Sequence, residues 1–224
     1  MEFFQFVKTN FIHVLPIFIA GVIAIAIGIE RTYALFSRYP IRNLEAFFSR
    51  VSDLVMSGRV AEAVAICDQL EGKPSASVVK LALLRAHQPE ELIENGLGIA
   101  VNKSAQAIQK RTQFLATIAN VATLLGLFGT IAGLIHAFHA VGTADATQKS
   151  QLLANGISTA MNATMLGLGV AIPSMVLFSF LMNRTNRLIA EVDQSAMQIL
   201  DILKQKFYSA QESTLKIAGG KNRG

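Results

Sequence analysis

The chain has 224 residues, 52% hydrophobic and 16% charged, with a formal net charge of +5 and a mean hydropathy of +0.43. Soluble domains carry about 25% charged residues, and the deficit here is concentrated: residues 9–29, 112–144 and 150–183 contain no Asp, Glu, Lys or Arg. A helix of about 20 apolar residues crosses a hydrocarbon core of about 30 Å, so composition excludes a soluble enzyme and predicts three membrane spans.

The first six residues, MEFFQF, lack the basic start and small-residue cleavage site of a secretory signal. The first apolar stretch is therefore expected to remain as an anchor, with residues 1–10 ahead of it and a transmembrane helix over 11–29. Pro16 lies near its start, where a missing amide is tolerated, and Glu30-Arg31 closes it. Residues 30–111 read as a helical region outside the membrane. Leu44, Phe47, Phe48, Val51, Leu54 and Val55 fall at i, i+3, i+4 spacing; Gly58 interrupts the pattern, and Val60, Ala63, Val64 and Leu70 restart it. Gly72-Lys73-Pro74 reads as a turn, followed by a short helix to His87. Pro89 with Glu90 and Glu91 fits a helix start. The absence of proline from there to Val141 predicts one helix of about 50 residues, about 75 Å long, whose membrane part is 112–141. A connection over 142–155 and a third span over 156–183 follow, with a bend expected at Pro173. Residues 184–224 are expected to form a helix that ends in a disordered tail from Ala218.

The basic residues set the expected orientation. One (Lys8) precedes the first span, eleven lie between the first two spans, one (Lys149) lies between the second and third, and seven follow the third, beginning with Arg184 and Arg187. Lys/Arg excess marks the cytoplasmic side. This places the N-terminus and the 142–155 connection in the periplasm, and residues 30–111 and the C-terminus in the cytoplasm. The pI near 9.5 then reflects topology and anionic-lipid contacts rather than nucleic acid. The fold class is an all-α integral membrane protein, with two of its three spans continuing into a cytoplasmic helical bundle.

Cys67 is the only cysteine, which excludes a disulfide framework and a Cys-based metal site within one chain. HExxH, paired CxxC, GxxxxGK[ST] and GxGxxG are all absent. His136 and His139 form an i, i+3 pair at the end of the second span without further ligands nearby, and read as interfacial residues. Within the second span, Thr112, Thr123 and Thr130 fall within about 20° of one another on a helical wheel, with Asn120 about 60° further round. Two readings stay open for this stripe: back-bonding to the helix's own carbonyls, or a face turned to a pore or partner. Gly126, Gly129 and Gly133 in the second span permit close helix approach. The third span opens with Ser158, Thr159 and Asn162 on one face and Thr164 well off it. No span contains a carboxylate, although an ion path through a membrane ordinarily uses an ionisable group.

The segment Gly126-Leu-Phe-Gly-Thr-Ile-Ala-Gly-Leu-Ile-His-Ala-Phe138, followed by Gly156-Ile-Ser-Thr-Ala-Met-Asn-Ala-Thr-Met-Leu-Gly-Leu-Gly-Val-Ala-Ile-Pro173, resembles the signatures of the MotA/TolQ/ExbB proton-channel family. Glu30-Arg31 and the helices through Val60–Leu70 are similar to its TolQ/ExbB branch. The resemblance implies an inner-membrane motor subunit, of TonB, Tol or gliding type, that couples proton flow to work on the cell envelope. It implies a homopentamer around a dimer of a single-span TolR/ExbD-like partner whose aspartate enters the pore, with a TonB/TolA-like envelope-spanning protein as a further partner. No cofactor is implied; the coupling ion is H+, with Na+ as the alternative. On this resemblance Thr130 matches the GLxGT threonine and Thr164 the AT threonine of the ion path, and the stripe that includes Thr123 can line it; Thr159, Asn162 and Thr164 supply oxygen ligands for the Na+ alternative. Gly126, Gly129, Gly133, Gly167 and Pro173 are expected to serve helix packing. Thr159 stands where the family's GIxEAL pattern has glutamate, and Ala122-Thr123 replaces its alanine-proline. A non-conducting scaffold for the partner is the rival reading.

Overall fold

A computed structural model describes residues 11–220, with side chains over 14–209. Among the described residues every regular element is helical. In chain order they are α1 (Phe11–Tyr33), a π-helical turn (Ala34–Arg38), α2 (Leu44–Met56), α3 (Val60–Asp68), α4 (Pro74–Leu84), α5 (Glu90–Gln109), α6 (Thr112–Thr143) and α7 (Lys149–Gly220). Three stretches are long and apolar enough to cross a membrane: Val14–Arg38, Glu90–Thr143 and Lys149–Ser209. The molecule is thus a multi-pass membrane protein. The chain divides into two compact units, one ending at Thr32 and resuming over Arg111–Met182, the other formed by Tyr33–Lys110 with the chain from Asn183.

The first unit contains α1, α6 and the first part of α7. On α1, Val14, Ile17, Ala20 and Ala24 are buried in one stripe. Val14 clusters with Ala163 and Leu166, a Cβ at Gly21 would sit 3.3 Å from Val170, and one at Gly28 would sit 2.6 Å from Leu177. Contacts that advance together along both helices make α1 parallel to α7. The remaining faces carry exposed apolar side chains such as Val22, Ile25, Leu124, Phe128, Ile135, Met161, Ile172 and Val176. Such surface is excluded from water and compatible with lipid or other subunits. Where α1 meets the start of α6, the Glu30 carboxylate accepts from the buried Arg31 guanidinium and from Arg111, each at 3.0 Å.

The second unit packs α2, α3, α4 and α5 in succession. Asn43 caps α2 by accepting from the Ala46 amide at 3.0 Å. The helix buries Phe47, Phe48, Val51 and Val55, as its spacing requires. Gly58 ends this segment at φ +82°, a left-handed conformation that glycine adopts without steric cost. Pro74 opens α4 in the position proline favours. In this unit α7 buries Thr185, Leu188, Val192, Ser195, Ala196, Ile199, Ile202 and Leu203 in a 3-4 spacing. Ion pairs tie Lys80 to Asp68 at 2.5 Å and Lys204 to Glu90 at 2.6 Å. Arg184 donates to the Leu35 carbonyl at 3.4 Å and lies 5.3 Å over the Phe36 ring.

Three expectations change. The single helix predicted from Pro89 to Val141 is two helices, because Lys110 is extended (ψ 132°) and Arg111 adopts φ 67°. Lys and Arg are good helix formers, so no local signal marks this break; at it, the guanidinium of Arg111 donates to Glu30, 81 residues earlier, at 3.0 Å. The connection expected over 142–155 shortens to residues 144–148, since α6 and α7 both extend into it. The tail expected to be disordered from Ala218 is helical in backbone to Gly220, as propagation of a formed helix is favourable; residues 221–224 lie outside the described residues. α7 passes through Pro173 as one helix. The carbonyl that loses its donor there belongs to Gly169, where no side chain adds to the crowding.

Candidate functional site

The seam between α6 and α7 is built from small residues. On α6 they are Ala119, Ala122, Gly126, Gly129, Gly133 and Ala137, and on α7 Gly156, Ala160, Ala163, Gly167 and Ala171. Nearest neighbours pair in antiparallel order. A Cβ on Gly156 would come within 2.1 Å of the Ala137 Cβ, one on Gly133 within 3.1 Å of Ala160, and one on Gly129 within 2.7 Å of Ala163. Further along, a Cβ on Gly126 would lie 3.2 Å from the Gly167 Cα, and one on Gly167 only 2.6 Å from the Ala122 carbonyl oxygen. Ala119, Ala122 and Ala171 close the ladder. Backbones this close replace hydrophobic driving force with dispersion and weak polar contacts. The glycines at 126, 129, 133 and 167 all lie in this seam, whereas Pro173 is exposed.

Thr164 borders the seam, and its hydroxyl donates across it to the Gly126 carbonyl at 3.4 Å. The antiparallel register sets Thr130 at the same level and on the same side. Thr123 follows on that side seven residues earlier, about 10 Å along the axis. The hydroxyl of Thr130 donates to its own helix at Leu127 (2.6 Å) and that of Thr123 to Ala119 (3.0 Å). Both threonines therefore back-bond. The outer wall of α7 here is an open groove of about 550 Å³ lined by Met161, Thr164, Met165, Leu168, Gly169, Ile172 and Pro173.

The other candidates separate from this group. Thr112, in line with Thr123 and Thr130 on the wheel, is fully buried, and its hydroxyl oxygen has no hydrogen-bond partner; Asn120 is exposed. Thr159 is rotated about 140° from Thr164 at 100° per residue and lines a different cavity, together with His136 and Asn155. Asn162 is half-buried and borders neither space. The candidate site is thus Thr123, Thr130 and Thr164 on one side of the seam and Thr159 on the other. Asn155 was not signalled by the sequence, because its position follows only from the antiparallel register. Among the described residues no group of three or more His, Cys, Asp and Glu could hold a metal ion.

A profile of the MotA/TolQ/ExbB proton channel family matches residues 69–194, which covers α4 through the seam and the following part of α7. The chain is 37% identical over 111 residues to the Tol-Pal system protein TolQ of Haemophilus influenzae, covering 48% of each chain. It is 27% identical over 124 residues to TolQ of Pseudomonas aeruginosa, covering 54% of this chain and 52% of that one. To the biopolymer transport protein ExbB of Aquifex aeolicus it is 36% identical over 77 residues, 34% of this chain and 51% of that one. The chain spans about half the length of the curated relatives it matches. Both segments that carry the seam fall inside the profile match, and the match covers more than half of the residues. The chain is a member of the MotA/TolQ/ExbB proton channel family, on its TolQ/ExbB branch.

Proposed function

We propose that this chain is the channel-forming, stator-like subunit of an inner-membrane motor that couples proton flow to work on the cell envelope in a Tol- or TonB-type system. It acts as a homopentamer around a dimer of single-span TolR/ExbD-like partners, with a TonB/TolA-like protein receiving the work. The observation that carries this reading is the hydrogen bond from Thr164 to the Gly126 carbonyl across a helix seam whose two spans contain no carboxylate. Hydroxyls there hydrogen-bond water and face a buried acid without fixing a charge in the hydrocarbon region, while the titrating aspartate comes from the partner. The groove beside Thr164 offers that partner helix a shallow, largely apolar wall.

The orientation proposed is N-terminus out and C-terminus in. Eighteen of the twenty basic residues lie in the segments 30–111 and 184–224, and charge placement of this kind sets topology. Their side chains also contact anionic lipid headgroups. The test is proton flux into liposomes that hold the chain with its co-purified partner. Thr130→Val and Thr164→Val each lower flux by about tenfold or more while the complex keeps its composition, whereas Thr164→Ser retains most of it; the hydrogen bond itself is worth only about 0.6 kcal/mol in a membrane. Wild-type flux in both valine variants removes these residues from the path.

A further inference from the structure

We draw no further inference here: the strongest candidate, the open groove between α5 and α7 that holds the exposed carboxylates of Glu94 and Asp193 beside the apolar side chains of Leu97, Val101 and Leu200, carries nothing, because nothing in the structure shows what covers it.

Discussion

Thr123 and Thr130 return their hydroxyl protons to their own helix, whereas Thr164 sends its proton across to the next one. The difference follows from the neighbour each meets: Gly126 has no side chain to keep Thr164 away from its carbonyl. The wheel positions of Thr123 and Thr130 were legible in the sequence, but that of Thr112 misled, since its place on the stripe is covered by tertiary packing. Cys67, on α3 and in none of the three candidate spans, shows the same rule. Burial, with the adjacent Asp68 adding to it and Lys80 opposing, pushes its thiol up to about 11. Native protein at pH 8 should therefore alkylate at Cys67 about a hundredfold more slowly than the urea-unfolded chain, because only the thiolate reacts. A native thiol that titrates like the unfolded one contradicts this. The linked stability has a definite sign: the neutral thiol is favoured in the fold, so its contribution is complete below about pH 9 and lost as pH rises toward 11.

At the scale of elements, the α6–α7 seam depends on backbone approach rather than side-chain volume. Gly167→Ala puts a methyl 2.6 Å from a backbone carbonyl that cannot turn aside, so it should cost about 1–3 kcal/mol in the manner of overpacked cores. Gly98, in the middle of α5, has nothing within 4 Å of its added Cβ, and Gly98→Ala should stabilise the isolated chain by about 0.5–1 kcal/mol through helix propensity. Chemical unfolding of both variants in detergent checks the pair, and equal effects would show that the seam is not the constraint. The small-residue spacing that makes the seam runs through the sequence at every third or fourth position from Ala119 to Ala137. It was only partly legible, because GxxxG alone does not say which helix it meets. The π-helical turn and the break at Arg111 were not legible at all: no glycine or proline marks either, and the partner of Arg111, Glu30, lies on another element.

For the whole molecule, the three spans, the helical region between the first and second, and the long final helix follow from where charge is absent and where it collects. The space beside His136 does not, because it is a product of the antiparallel register between α6 and α7, which their separate sequences do not state. The orientation proposed has a direct check. A cysteine placed by Thr147→Cys, in a Cys67→Ser background, should react with a membrane-impermeant maleimide in intact cells, while Ser57→Cys should react only after permeabilisation. The reverse pattern contradicts the assignment. The central claim is that this chain builds a channel whose acid is supplied by another protein, and the most direct measurement is native mass spectrometry of the complex extracted from its own membranes. The account predicts five copies of this chain with two copies of a small single-span protein that carries an aspartate in its span. A homo-oligomer without any such partner contradicts it, because the spans themselves hold no carboxylate.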